Sequence, residues 1–529
     1  MERWMRKWPC ALYCFLSGVL TAMTYNVQEL WFLCFFALMP FLAVMLWKKQ
    51  TKKRSFFYTF LFFMGYYIAL LTWFGELISV VAGSLSPLAS VLVMILAIFA
   101  VALIESTVMS IAMLPFSRLY CGGFADVLVF AALYALGEWG IAQMGSLAFP
   151  WARLANIAAP AAWFVQGASL FGGLFVSMII ICVSGFAVYA LLHLRNRRTV
   201  LLAGVCAVCI FAANTVFGIG RMGIPNEPAQ ETEILLVQGN FSAQNKWSME
   251  TKSAFEAYIR LSEQNKTENT KIIVWPETAV TVELNRPEGK EYRAALSEFA
   301  CANGVTLITG SFFRSEEGKR YNSLYAFLPN GEVLEPYHKQ LLVPMGEFIP
   351  LRGLMQALLP NLINSSIFKE TLTPGTETMV LKTPDVAFGG VICYESIEPS
   401  ITRTAVLNGA ELLVMITNDS WFGSSAALRQ HLSHAVLRAV ETHRSLVRSG
   451  NSGITASVDA YGRIMGETEI NEQNTLLCSA AIYRDATLYS VVGDWPVAAS
   501  GFALWIFAVI KVIFQRNSQQ RKRKTEAAE

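Results

Sequence analysis

Seven apolar runs, each near the length that carries a helix across a bilayer, crowd the first 220 residues: about 9–24, 30–47, 56–75, 85–116, 124–145, 161–193 and 199–219. A crossing takes roughly 20 apolar residues of helix, and an eighth run lies at about 497–515. A chain that is 54% hydrophobic and only 15% charged is too apolar to be an ordinary soluble protein. Its formal net charge of +3 gives no reason to expect a nucleic-acid partner. The basic residues are instead punctuation. They fall at Arg3, Arg6 and Lys7, at Lys48 to Arg54, at Arg118, at Arg195, Arg197 and Arg198, and at Arg521 to Lys524, whereas the loops near 25–29 and 76–84 have none and 146–160 has only Arg153. Alternate loops are therefore basic, which predicts both termini in the cytoplasm. An odd number of spans before residue 220 then puts 221–496 on the other side. A cleavable leader is the poorer reading of the charged start, because six further spans follow it. The expected domains are a membrane part at 1–220, an extracytoplasmic domain at 221–496, a last span at 497–515 and a basic cytoplasmic tail at 516–529.

Within 221–496, short β-branched runs recur at 233–238, 271–275, 305–313, 386–393 and 411–417, with helix-like stretches such as 249–263 and 289–302 between several of them. The strongest helical pattern is 426–447. Turns at Pro329-Asn330-Gly331 and Asp459-Ala460-Tyr461-Gly462 predict hairpins. The sum is a layered α/β domain with a mixed sheet. The apolar stretch 351–369, interrupted by Pro360, reads either as a core element or as a lid resting on the membrane surface.

Three segments set reactive groups just after apolar strands: Trp275-Pro276-Glu277, the run from Tyr337 to Glu347 that carries Lys339, and Cys393-Tyr394-Glu395. Strand ends open into the cleft of an α/β sheet. Of ten cysteines, seven lie in or beside the apolar runs, and the segment 221–496 holds three, Cys301, Cys393 and Cys478. An odd number in an oxidising compartment leaves a thiol unpaired within the chain. From the residues alone, Cys393 is a core residue, half of a bridge or a nucleophile.

WPE, the Lys339 segment and CYE, in that order, resemble the nitrilase (carbon–nitrogen hydrolase) superfamily, and with eight spans around them the chain is similar to the apolipoprotein N-acyltransferases. The match includes NDSWFG at 418–423 and the run 438–455. The resemblance implies a nitrilase-like αββα sandwich attached to an eight-helix membrane bundle, without cofactor or metal, in a bacterial inner membrane. It implies Cys393 as nucleophile, Glu277 as general base and Lys339 as the cation that stabilises thiolate and oxyanion. The implied supporting residues are Glu347, Tyr394, Glu395 and Trp247. The implied substrates are a phospholipid acyl donor, phosphatidylethanolamine above all, and a diacylated apolipoprotein whose N-terminal amine is acylated in a ping-pong reaction through a thioester. The chemistry is coherent, because a thiol of ordinary pKa is mostly protonated near neutrality and needs a base or cation beside it. Two departures stand out: Met345 where the superfamily more often has Phe, and uncharged residues around Ile141 where many relatives carry an arginine.

Other features read more plainly. His431, His434 and His443 are expected to be polar residues on a packed or solvated helix face, not zinc ligands. Asp126 and Glu138, near the ends of apolar runs, are expected to have ordinary roles, while Glu105, deeper in its run, is a functional candidate. A water-using amidase would need one anchor instead of eight spans, and a transporter would show broken mid-span helices or an inverted repeat, which the sequence lacks.

Overall fold

A computed structural model describes all residues except 1–6, 82–85, 225–226, 242–250, 359, 364–370 and 527–529. Two six-stranded mixed sheets form the heart of the α/β half. The first contains β1 (Gln230–Gln238), β2 (Ile272–Val274), β3 (Thr306–Arg314), β4 (Arg320–Phe327) and β5 (Tyr337–His338). The second contains β6 (Val380–Lys382), β7 (Ala387–Ile392), β8 (Leu412–Thr417), β9 (Leu446–Gly450), β10 (Ala456–Val458) and β11 (Ile464–Glu467). The last strand, β12 (Asn474–Ile482), returns to the edge of the first sheet, giving the orders β12-β1-β2-β3-β4-β5 and β11-β10-β9-β8-β7-β6. In each sheet the three central strands, β1 to β3 and β7 to β9, run parallel.

The alternation of side chains along the strands explains the layering. Ile234, Leu236, Val274 and Ile308 face Phe388, Ile392, Val414 and Ile416 across the gap between the sheets. Leu235, Val237, Ile273 and Leu307 point the other way, onto the helices Thr251–Asn265 and Lys290–Asn303. Val391, Leu413 and Met415 pack on Pro399–Leu407 and Ala427–Thr442. Because both faces of each sheet are covered, the strands read as continuous apolar runs. The four layers are helix, sheet, sheet, helix, the sandwich expected from the resemblance. Both predicted hairpins form, with Gly331 and Gly462 at positive φ. The helix expected over 426–447 is shorter: His443 turns left-handed at φ 51°, its N–H closing on the Ala439 carbonyl, and Leu446 opens β9.

Among the described residues, seven helical segments are long and apolar enough to cross a membrane: Gln28–Leu46, Lys52–Leu77, Pro87–Leu119, Ala125–Ala142, Ala168–Leu192, Arg197–Gly223 and Trp495–Gln515. They correspond to seven of the eight expected runs. The run at 9–24 forms the helix Lys7–Asn26, whose apolarity is diluted by Ser17, Thr21, Thr24 and its polar ends. That helix still packs tightly on Lys52–Leu70. A Cβ at Gly18 would collide with the Phe62 carbonyl and one at Gly65 with the Phe15 carbonyl, so the two glycines permit backbone contact. The last helix continues without interruption from Trp495 to Glu526.

The helix Ala427–Thr442 sits directly on the membrane half. Gln430 accepts from Trp151 Nε1 (2.7 Å) and donates to Asn26 (2.8 Å), and Gln28 donates to the Arg429 carbonyl (2.9 Å). Below it, the helix Ala168–Leu192 is broken at Phe171 and Gly172, and the freed N–H of Gly173 donates to Glu441 Oε1 (3.0 Å). Asp126 accepts from the backbone N–H groups of Cys121, Gly122 and Gly123, and Glu138 from that of Leu154. Both thus hold backbone N–H groups, and Glu138 Oε2 has no hydrogen-bond partner among the described residues. Glu105 is buried, and neither of its oxygens has a hydrogen-bond partner among the described residues.

Candidate active site

Two of the predicted residues, Glu277 and Cys393, follow parallel strands, and Lys339 follows an antiparallel edge strand. Glu277 follows β2 by way of Trp275 and Pro276, Cys393 follows β7 directly, and Lys339 follows the two-residue edge strand β5. Lys339 is 1% exposed, and its ammonium bridges two carboxylates: it donates to Glu277 Oε1 (3.2 Å) and to Glu347 (2.9 Å). Asn322, from β4, donates to the same two groups, at 2.7 Å to Glu277 and 2.9 Å to Glu347. The backbone N–H of Asn418, at the end of β8, donates to Glu277 Oε2 (2.8 Å). Glu347 is fixed in turn by the N–H of Val343 (2.8 Å). Burial alone would push the Lys339 ammonium down, but Glu277, Glu347 and Cys393 overcome it and hold the pKa above the usual lysine range.

Cys393 takes φ 53°, a left-handed conformation that costs a non-glycine residue energy and is held by its surroundings. Enclosure of the thiol, with Glu277 and Asp419 nearby, raises its pKa well above the ordinary value, against the opposing pull of Lys339. These influences favour the thiol over the thiolate, so loss of its proton calls for a nearby acceptor.

Glu395 anchors the loop. Its Oε1 accepts from Tyr337 Oη (2.7 Å) and the N–H of Gln340 (2.6 Å), and its Oε2 from the N–H of Ile392 (2.7 Å). One side chain thus ties the approach to the nucleophile to the residue after Lys339. Burial pushes its pKa up to about 7 against those donors. Removing it in Glu395→Ala leaves those buried donors without an acceptor, at about 1–3 kcal/mol each. The expected result is a loss on the order of 3 kcal/mol, read as a lowered thermal unfolding midpoint in detergent.

Tyr394 faces the membrane half, its ring stacked near Phe149 (6.0 Å) and Trp151 (6.4 Å). Trp247, the remaining predicted residue, lies outside the described residues. The same holds for much of 351–369, where the short helices Arg352–Leu358 and Pro360–Ile363 are placed.

The histidine expectation needs revision. His431 Nδ1 lies 3.0 Å from Asp419 Oδ1, its Nε2 lies 3.1 Å from the Cys393 carbonyl oxygen, and Asp419 is ion-paired to the buried Arg448. The ligand-type atoms of Cys393, Asp419 and His431 all lie within 4.8 Å of one another. Burial opposes charge on Asp419, but Arg448 and His431 outweigh it and keep the carboxyl below its usual range. A cation, Arg448, already neutralises Asp419, so the group reads as a hydrogen-bonded brace behind the nucleophile. Sequence spacing hid it, because its members come from three separate elements. His434 and His443 have other partners, Asn156 and Asp485.

A double-sheet sandwich with a thiol, an ammonium and a carboxylate at its strand ends, seated on a bundle of apolar helices, describes a carbon–nitrogen hydrolase fold joined to a multi-pass membrane protein. The carbon–nitrogen hydrolase pattern matches residues 236–487, and the apolipoprotein N-acyltransferase N-terminal domain pattern matches 17–186. The chain is 30% identical to the apolipoprotein N-acyltransferase of Gloeobacter violaceus over 373 residues, covering 70% of each chain. It is 29% identical to that of Allorhizobium ampelinum, covering 84% of each, and 27% identical to that of Photobacterium profundum, covering 95% of this chain and 94% of that one. The chain belongs to the apolipoprotein N-acyltransferase family, and is an acyltransferase whose relatives are named for N-acylation of apolipoproteins.

Proposed function

We propose that this protein moves an acyl chain from a phospholipid, phosphatidylethanolamine in the first instance, to the N-terminal diacylglyceryl-cysteine of an apolipoprotein, through a thioester on Cys393. The observation that carries the proposal is the buried Lys339 ammonium bridging Glu277 and Glu347 at the strand ends that also present Cys393. In the first step Glu277 takes the thiol proton as sulfur attacks the ester carbonyl. Lys339 and the backbone N–H after Cys393 offset the charge that develops on oxygen. The tetrahedral species collapses, the lysophospholipid alkoxide leaves, and it takes the proton from Glu277. In the second step the acceptor's α-amine loses a proton to Glu277 as it attacks the thioester. The amide forms, and the thiolate leaves and is reprotonated.

The junction with the membrane half supports this reading. Tyr394 and Ile397, just after the nucleophile, belong to the same apolar cluster as the membrane helices, as do Leu341 and Val343 after Lys339. An acyl chain can reach the thiol through such a surface, and water is poorly accommodated there. The alternating basic loops favour a catalytic half on the periplasmic side of a bacterial inner membrane, with both termini in the cytoplasm.

Purified protein incubated with phosphatidylethanolamine alone is expected to gain the mass of one acyl chain, on the peptide containing Cys393 and removable by hydroxylamine. Adding a diacylated lipopeptide should discharge it into N-acylated product. Acyl transfer that proceeds with no such adduct would sink the thioester route, and discharge chiefly to free fatty acid would favour a hydrolase.

A further inference from the structure

The membrane half carries a second polar feature, far from the thiol. A cavity of about 490 Å³ is lined by Lys49, Gln50, Thr51, Lys52, Ser117, Arg118, Lys511 and Gln515. Its cations come from three separate segments: the loop before the helix Lys52–Leu70, the turn after Pro87–Ala112, and the last helix. No acidic residue lines it. Among the described residues none of the four cations forms an ion pair. The walls are nonetheless fixed, because Gln50 donates to the Val44 carbonyl (3.1 Å) and Lys511 to that of Arg118 (3.3 Å).

Position narrows the ligand. Lys52 opens a 19-residue helix, about 28 Å long, which runs on to Trp73, packed against Phe422 of the catalytic half. Lys511 is likewise remote from Trp495, where the last helix begins. The cavity therefore lies at the end of the bundle opposite the catalytic half. Trp47 and Tyr120 flank it, with Lys48 over the Trp47 ring and Tyr120 Oη donating to the Leu46 carbonyl. Aromatic residues of this kind mark the headgroup level of a bilayer. A basic loop alone, such as the one carrying Arg195, Arg197 and Arg198, would satisfy the topology of the chain. Convergence of three segments on one unneutralised cavity asks for a counter-charge.

We propose that this cavity binds the phosphate ester of an anionic phospholipid headgroup, in the leaflet opposite the catalytic half and separately from the acyl donor. Basic pockets between helices at a membrane face are suited to such headgroups.

The test uses the full-length protein in phosphatidylcholine nanodiscs doped with phosphatidylglycerol or, separately, phosphatidylethanolamine, with bound lipid read by native mass spectrometry. Phosphatidylglycerol is expected to be retained about ten-fold or more over either zwitterionic lipid. The Lys52→Gln/Lys511→Gln variant should lose that preference, and Lys52→Arg/Lys511→Arg should keep it. Neutralising Arg195, Arg197 and Arg198 to Gln on the same face should leave it unchanged. Equal retention by wild type and the Lys52→Gln/Lys511→Gln variant would overturn the proposal. So would an equal loss in the arginine triple variant, which would mean diffuse surface charge. Inorganic phosphate is the remaining arm: if it binds with the same dependence on Lys52 and Lys511 while phosphatidylglycerol shows no preference, the site holds a free anion and not a lipid.

Discussion

The Cys393→Ala protein is expected to form no acyl adduct and to lose transfer to a lipopeptide entirely, while unfolding at nearly the wild-type temperature. The substitution deletes one sulfur atom from a half-buried residue, and the Lys339 bridge to Glu277 and Glu347 does not depend on it. Alanine accepts the left-handed backbone at 393 no better and no worse than cysteine does. Cys393→Ser should be equally inactive within detection. A hydroxyl loses its proton far less readily than a thiol, and the same enclosure that raises the thiol's pKa acts on it too. Mass spectrometry after incubation with phospholipid and a thermal melt of the same samples decide the matter. Transfer within tenfold of wild type in the alanine variant would remove Cys393 from the reaction.

Glu277→Gln is the second large effect, a fall of about 10²- to 10⁴-fold in the rate of acyl-enzyme formation. The change keeps size but removes the proton acceptor. It also sets an amide NH₂ among donors, since Asn322 and Lys339 point at one oxygen of Glu277 and the Asn418 N–H at the other. The pH dependence carries the sign. With Glu277 present, the thiol proton has a local acceptor, so the rate does not depend on prior formation of free thiolate. Without it, the rate follows the small fraction of thiolate. The cysteine pKa is raised, so that fraction grows about tenfold per pH unit through neutrality and beyond. Initial rates measured from about pH 6 to 9 should show a plateau for the wild type and a continuing rise for the variant. A variant profile that also levels off near neutrality would assign the base elsewhere.

What the sequence made legible follows from chain locality. Glu277 and Cys393 stand after β-branched runs, so their placement at strand ends could be read directly. Lys339 follows a strand of two residues, Tyr337–His338, too short to have a period; its segment could be singled out, but its role as the cation came from the resemblance. Asn322 was not read at all. It sits inside β4, where alternation says only that a residue points one way or the other, and its partners are 45 and 25 residues away. His431 was discounted for the same reason, its neighbours Asp419 and the Cys393 carbonyl lying on other elements. The helix ending at Thr442 was overextended because Leu446 fits a helical stripe as well as it fits a strand. In the membrane half, apolar length located the helices, but it could not reveal the break at Phe171 and Gly172.

That break has a practical consequence. Because the carboxylate of Glu441 receives the Gly173 N–H, and Gln430 is shared between Trp151 and Asn26, the two halves complete each other's polar inventory. A severed catalytic fragment would carry those side chains into water on a face built to be dry, and a severed bundle would leave a peptide N–H stranded near lipid. Domain-swap chimaeras between relatives should therefore be joined so that residues 151, 173, 430 and 441 all descend from one parent. The polypeptide is better regarded as a single machine with an indivisible hinge plate than as a hydrolase bolted to an anchor.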